Sequence, residues 1–263
     1  MKKIVKERPA PGIILYRPAG YSIDWEDFIP FFRDPEPFED LKKNRRYRRR
    51  LFLFENKEKK WHIKKMSYLI SSRIRDKIRG SLFFSSPALD QLEASASVRE
   101  AGVETVFPFF SLIKRRGMRK EGLFITEYKK EKLLHQIFSS SVVSEDSKVK
   151  FFGQGMGDLR KMHLKKITHG DAHAGNILVE EDKLLWSDFD MMKKGSFYLS
   201  LRGREYDIYR FLRSAVSPMA ENGFWSRRTA DKIVSQWNSR YPGFDRIKEK
   251  VRRRLFKERG ISI

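Results

Sequence analysis

Residues 169–190 read HGDAHAGNILVEEDKLLWSDFD. Within this stretch Asp171 is followed five residues later by Asn176, and twelve residues after that by Asp188. Transfer of a terminal phosphoryl group asks the protein for little covalent chemistry but for strict placement of charge around phosphates, a metal and a hydroxyl. Asp171 suits the acceptor side, since a carboxylate both orients a hydroxyl and takes its proton late in the reaction. Asn176 and Asp188 offer hard oxygen ligands, and Mg2+ needs only one or two such protein oxygens because water and phosphate complete its octahedron.

The residues between these groups explain how they converge. Ile177, Leu178 and Val179 form a short apolar, β-branched run, Lys183 to Trp186 form a second, and Glu180-Glu181-Asp182 is a charged turn between them. That pattern predicts a hairpin with Asn176 before its first strand and Asp188 after its second, hence at the same end. Each piece alone has a plainer reading: a structural His in a turn, an Asn capping a strand, a solvated acidic turn. The joint spacing favours the phosphoryl-transfer reading. His169 reads as scaffold, an imidazole packed beneath the loop and bonded to a backbone carbonyl. His173 has two readings, a contact to the acceptor or to the Asp171 loop. Asp190 also has two, a second metal ligand or the cap of the following turn.

HGDAHAGNIL together with WSDFD resembles the catalytic and metal-binding loops of the protein-kinase-like superfamily, with HGD in place of HRD and DFD in place of DFG. Within that superfamily the chain looks most similar to the lipopolysaccharide core kinases, the Kdo and heptose kinases, over roughly residues 48–216. The resemblance implies an α+β, two-lobed protein-kinase-like fold: a mostly β N-terminal lobe over residues 1–125 with one bracing helix, a hinge at 126–130, and a mostly helical catalytic lobe over 131–263. It implies ATP and Mg2+ as cofactors, Asp171 as the catalytic residue, and Asn176 and Asp188 as metal ligands.

Upstream, Arg49 to Glu55 is an apolar-rich stretch centred on LFLF, followed by a polar turn at Asn56 to Lys59 and then KWHIKKM. This predicts an antiparallel pair. By resemblance Lys64, at the end of WHIK, contacts the α- and β-phosphates, with Lys65 the alternative if the register moves by one. Residues 88–101 predict a helix stopped by Gly102. The family's carboxylate partner for the lysine would lie eleven residues before Gly102, where this chain has Gln91; Glu93 is the substitute, and Asp90 a third candidate. These three point in different directions on a helix turning about 100° per residue. No GxGxxG is present, and the basic run Arg45 to Arg50 sits where a phosphate-covering loop would lie. Leu123 to Tyr128 predicts a strand entering TEYKK, which looks like a hinge whose backbone pairs with adenine. A helix ending in MGDLRKMHLKK precedes the HGD loop. SLRGREYDIYRFLRSAV predicts a helix with Tyr206, Arg210 and Arg213 near one face and Ile208, Phe211, Leu212 and Ala215 near another. Asp207, near its start, would brace the HGD loop by accepting backbone hydrogen bonds, or would serve as a helix-dipole carboxylate.

Composition limits the partners. At 263 residues the chain suffices for one sizeable core and two lobes. Cysteine is absent, so there is neither a disulfide framework nor a thiolate metal site. MKKIVKERPAPGIIL carries positive charge but no uninterrupted apolar core, and no 18-residue apolar span exists. The formal charge of +22 points to a polyanionic partner. Residues 41–60 carry ten Lys or Arg against two Glu, and residues 246–259 carry eight against two. In the second cluster Phe244, Ile247, Val251 and Leu255 recur at helical spacing. They would pack on the lobe while Arg252 to Arg254 and Lys257 meet anionic headgroups.

The resulting expectation is an ATP-dependent phosphotransferase acting on a sugar hydroxyl, Kdo or heptose, of the lipopolysaccharide inner core or a lipid A-linked sugar. The protein would be cytoplasmic and peripheral on the inner membrane, held to an anionic membrane surface. Two alternatives share the charge: a RIO-like protein kinase acting on a nucleic-acid-associated substrate, and a non-catalytic basic binding scaffold. Aminoglycoside phosphotransferases share HGDxHxxN, but their cationic substrates would be repelled.

Overall fold

The computed structural model describes residues 3–21, 24–32, 39–44, 49–56, 59–67, 86–116, 119–195, 201–223, 237, 241 and 243–259. The chain is α+β and divides into two compact units. The first comprises Met1–Ser97 with Val106–Lys129, the second Val98–Thr105 with Lys130–Ile263. The chain thus passes between the units after Ser97, after Thr105 and after Lys129, with the eight residues Val98–Thr105 as an excursion into the second unit.

In the first unit seven strands form one antiparallel sheet: β1 (Ile4–Ala10), β2 (Ile13–Pro18), β3 (Glu39–Asn44), β4 (Arg49–Asn56), β5 (Lys59–Ser67), β6 (Pro108–Arg116) and β7 (Arg119–Glu127), in spatial order β1-β2-β6-β7-β5-β4-β3. Helix α1 (Pro87–Glu100) lies between β5 and β6 in sequence. Period-two alternation sorts the strand residues onto two faces. Leu15, Phe52, Ile63, Phe110, Leu112, Leu123 and Ile125 meet Phe28, Phe31 and Phe32 of a 3-10 helix over Trp25–Phe32. Burying each of those aromatic rings contributes about 1.5–3 kcal/mol. On the other face Met66 and Phe124 pack against Ala88 and Leu92 of α1. Gly122 of β7 permits this close approach, since a Cβ there would lie 2.7 Å from the Ala88 Cβ and the Ser86 Oγ. Ser111 Oγ donates to Ala88 O at 2.6 Å and pins the helix start to the sheet.

The second unit contains β8 (Lys132–Leu133), helices α2 (Leu134–Ser139) and α3 (Glu145–Leu164), β9 (Ile167–Thr168), β10 (Ile177–Glu180), β11 (Lys183–Trp186), β12 (Lys193–Lys194), α4 (Leu201–Glu221) and α5 (Phe244–Arg259). β8, β10 and β11 form one small sheet and β9 with β12 another. Ser144 caps α3 by accepting the Ser147 N–H at 3.2 Å, as a helix N-terminus with unsatisfied amides requires. Gly155 of α3 makes room for the Phe211 ring of α4, which a Cβ would meet at 2.3 Å. Phe244, Ile247, Val251 and Leu255 of α5 are all buried, so the apolar stripe packs inward. Ile208, Phe211, Leu212 and Ala215 of α4 are likewise buried. Among the described residues no helix is long and apolar enough to cross a membrane.

Candidate functional site

Helix α4 reads the HGD loop residue by residue. Asp207 is fully buried, and its carboxylate accepts the His169 N–H at Oδ2 and the Gly170 N–H at Oδ1, both at 2.8 Å. His163 Nε2 lies 3.1 Å from the same Oδ2. A carboxylate only accepts, so His163 carries its proton on Nε2, and its Nδ1 accepts from the Tyr241 hydroxyl at 3.2 Å. Burial pushes that phenol up from its usual range. One turn further along α4, Arg210 Nη2 is paired with Asp171 Oδ1. Another turn on, Ser214 Oγ accepts the Ala174 N–H at 2.8 Å while donating to Phe211 O at 2.9 Å. Residues 207, 210 and 214 follow three- and four-residue steps, so they form one stripe, and that stripe holds loop positions 169–174.

The loop is also tied to itself. Asp171 O accepts the His173 N–H at 2.9 Å and the Asn176 side-chain amide at 3.0 Å. His173 O accepts the Asn176 N–H at 2.9 Å, and His173 Nδ1 accepts the Gly175 N–H at 3.1 Å. Asn176 Nδ2 is thus committed to the backbone, which leaves Oδ1 as the atom of that amide able to ligate a cation. The hairpin β10–β11 pairs Ile177 with Trp186, and its ends are clamped by Ser187, whose N–H and Oγ both donate to Asn176 O at 2.9 and 2.8 Å. This brings Asn176 to the segment that carries Asp188. Asp188 is exposed and left-handed, with φ +58°. That conformation costs a non-glycine residue on the order of 1 kcal/mol and persists where its surroundings over-determine it.

Two histidines flank this arrangement in different states of enclosure. His169 has no solvent exposure, lies against Trp186 and Phe189 with ring centroids 5.3 and 5.1 Å away, and donates from Nε2 to Ser187 O at 3.2 Å. Burial lowers its pKa, with partial opposition from Asp207, Asp188 and Asp171, so it is held neutral as a scaffold. His173 is half-buried; its Nδ1 already accepts from Gly175, so the proton sits on Nε2, 3.6 Å from Asp171 Oδ2. Burial lowers this pKa also. Of its two readings, the structure gives it the contact to the Asp171 loop. Each Asp171 carboxylate oxygen therefore has a basic side chain beside it, Arg210 on Oδ1 and His173 near Oδ2, while the carboxylate keeps 31% of its surface.

In the first unit, Lys64 pairs across the sheet with Phe124, and Lys65 with Leu123. Directly opposed residues share a face. Lys64 thus lies on the face covered by α1, and Lys65 on the face covered by the 3-10 helix. On α1, Gln91 is buried, on the side of Ala88 and Leu92, whereas Glu93 and Asp90 are exposed. The Glu93 charge reaches Tyr16 of β2, where it helps raise the phenol pKa behind the larger effect of burial. At the end of β7 the Glu127 N–H donates to Phe107 O and the Tyr128 N–H to Lys60 O, both at 3.1 Å. Those two amides are committed within the unit. Of the basic run Arg45 to Arg50, positions 45–48 lie outside the described residues.

No protein-family model matches this chain, and no curated protein matches it. The site rests on its own geometry. Among the described residues no group of three or more His, Cys, Asp or Glu is arranged to hold a metal. Asn176 and Asp188 make a two-oxygen set, which suits a hard cation only when a ligand such as phosphate supplies further oxygens. Arg210 and Ser214 escaped the sequence reading as loop contacts, and so did the His163–Tyr241 relay behind Asp207. The available signal was that Arg210 lies one turn beyond Asp207, on the face from which the loop was expected to be braced.

Proposed function

We propose that the chain is an ATP-dependent phosphotransferase with a sugar hydroxyl as acceptor, and that the acceptor is Kdo or heptose in the inner core of lipopolysaccharide. The observation that carries the reading is the joint geometry of residues 171, 176 and 188. Asn176 is bonded through Nδ2 to Asp171 O and through its own carbonyl to Ser187, so the base candidate and one oxygen ligand belong to one hydrogen-bonded unit, and the other ligand, Asp188, directly follows Ser187. A fold with two lobes of the protein-kinase-like kind is part of the proposal. A mostly β unit with one helix inserted after the lysine strand, and a mostly helical unit bearing the HGD and DFD loops, both support it.

In this mechanism Asp171 orients the acceptor hydroxyl and receives its proton at a carboxylate oxygen, with Arg210 and His173 keeping that carboxylate in place. Asn176 Oδ1 and the Asp188 carboxylate would hold Mg2+, which supplies charge neutralisation on the terminal phosphates. Lys64 is the residue assigned to the α- and β-phosphates. Glu93 is the carboxylate assigned to that lysine, with Gln91 and Asp90 as the alternatives on the same helix. Peripheral attachment at the cytoplasmic face of the inner membrane completes the reading, because the acceptor is lipid-linked and anionic and the chain carries +22.

The test is transfer of labelled phosphate from magnesium-ATP by purified protein. Dephosphorylated core lipopolysaccharide, ribosomal particles and a basic protein are offered side by side, with Asp171→Asn as the blank. Label in the lipopolysaccharide alone is the expected result. Label in protein would replace this reading with a RIO-like one, and absence of label everywhere would leave a binding scaffold.

A further inference from the structure

The N-terminal hairpin carries a basic pocket that the phosphotransfer reading does not use. β1 is an edge strand of the seven-stranded sheet; it pairs with β2 as far as Glu7 opposite Leu15 and again at Ala10 opposite Ile13. Arg8 and Pro9 lie in the register shift between, where a bulge re-aims side chains and a proline is tolerated. Pro11 and Gly12 turn the chain, with Gly12 at φ +74°, and the Arg115 N–H of β6 donates to Gly12 O at 3.0 Å. The tip is thereby tied to the sheet. Residues 8–14 and Arg115 line a cavity of about 520 Å³.

Arg8 and Arg115 stand on one side of that sheet. Ile14 of β2 and Ile113 of β6 pack with Leu89 of α1, and Arg115 follows Ile113 by two residues on the same strand, hence on the face that α1 covers. Lys6 pairs with Tyr16, which packs against Met66, Ala88, Leu92 and Phe124 on that same face, and Arg8 follows Lys6 by two. The Tyr16 phenol agrees: burial raises its pKa, Arg115 and Arg8 oppose the rise, and Glu93 adds to it. Lys6 Nζ lies 5.9 Å from the centroid of the same ring. Arg17 of this hairpin is held by Glu7, whereas among the described residues Arg8 and Arg115 are in no ion pair, and both are exposed.

We propose that this pocket binds a phosphate monoester carried on an apolar body. Two guanidiniums at its rim match a dianion in charge, and each offers forked donors to the phosphate oxygens. A carboxylate, with a single charge, would satisfy only one of them. Pro9, Ala10 and Pro11 supply an apolar wall for the body that carries the phosphate. A lipid headgroup and a small soluble phosphoester share this chemistry. The pocket lies wholly within the first unit, so it does not depend on the phosphotransfer reading.

The experiment is isothermal titration of the full chain, in EDTA, with hexyl phosphate, inorganic phosphate and hexanoate, alongside amide spectra of isotope-labelled protein. Hexyl phosphate should bind at least about tenfold more tightly than either of the others and should shift the Gly12 and Arg115 amides. Arg8→Gln and Arg115→Gln should each weaken it by about tenfold or more, since each removes a charge-assisted hydrogen bond. Lys114→Gln removes the same charge one residue away on the opposite face, where the ammonium lies 5.8 Å over the Phe32 ring, and should leave the affinity unchanged. Pelleting with phosphatidylcholine vesicles that contain phosphatidic acid, lost when Arg8→Gln and Arg115→Gln are combined, assigns a lipid headgroup. Pelleting that is absent, or equal in both chains, assigns a soluble phosphoester. No binding of hexyl phosphate, equal affinity for hexanoate, an equal loss in Lys114→Gln, or shifts confined to residues 169–190 would each overturn the proposal. Asp188→Ala should bind hexyl phosphate as the intact chain does, so failure of the phosphotransfer reading and failure of this one give different results.

Discussion

Asp171 sits between Arg210 and His173, and this makes their separate contributions measurable. Asp171→Asn should lower turnover by at least about a hundredfold, since it removes the proton acceptor, while leaving magnesium-nucleotide affinity intact. Asp188→Ala should lose both, because it removes a metal ligand. Isothermal titration alongside steady-state kinetics separates the two, and equal activity in both variants would remove the assignment. Arg210→Ala should reduce kcat roughly tenfold to a hundredfold with little change in KM for ATP, because a misdirected carboxylate lowers the fraction of productive encounters. Arg210→Lys should recover part of the loss, having the charge without the planar fork. Loss of KM for ATP instead would mean that Arg210 serves the nucleotide.

At the level of elements, α4 is the brace and the HGD loop is what it braces. Asp207→Ala strands the His169 and Gly170 amides and the buried His163 ring, and should cost about 3 kcal/mol, seen as a melting point lower by roughly 5–10 °C. Gly170→Ala should be at least as damaging: φ is +80° and a Cβ would lie 2.3 Å from Met191 O. The buried His169 adds a pH dependence with a definite sign. Its folded pKa lies below the ordinary 6.5, so below that pH the unfolded chain takes up a proton that the folded chain refuses. Stability is therefore fully present above about pH 6.5 and falls as pH drops toward the folded pKa. His62 and His173, also lowered by burial, act in the same direction. Melting curves between pH 5 and 8 should flatten when His169 is replaced by Gln, and an unchanged slope would show that His169 does not carry the effect. The elements themselves were largely legible. The hairpin at 177–186 could be read because two short apolar runs bracket a charged turn, and α1 because Gly102, at φ +77°, follows its end. The burial pattern on α1 was not legible: Glu93 was preferred for its charge, and the close packing of Ala88 and Leu92 on Met66 and Phe124 buries Gln91 while Glu93 is exposed.

For the molecule as a whole, the division into units is not a division of the chain at one point. Val98–Thr105 belongs to the second unit: Glu104 O accepts the Trp186 N–H at 3.0 Å, Thr105 bridges Trp186, and Gly102 O accepts from Lys161 at 3.2 Å. A fragment starting at residue 130 would lack these partners for β11, the strand that leads to Asp188. It should bind a hydrophobic dye and melt without cooperativity, whereas the full chain melts cooperatively; a cooperatively folded fragment would show that the excursion is dispensable.

By itself the amino-acid sequence determined the local chemistry: which side chains stand at 171, 176 and 188, the hairpin that joins two of them, and the charge of +22. These follow from spacing over a few residues, where strand alternation and turn preference act directly. Only the tertiary structure decided that Arg210 pairs with Asp171, that Ser214 holds Ala174, that Tyr241 stands behind His163, and that Lys193 and Lys194 pair with Thr168 and Ile167. Those contacts join residues far apart in the chain, and they arise because buried amides and carboxylates must find partners wherever packing brings them, a requirement that leaves no periodic trace along the sequence.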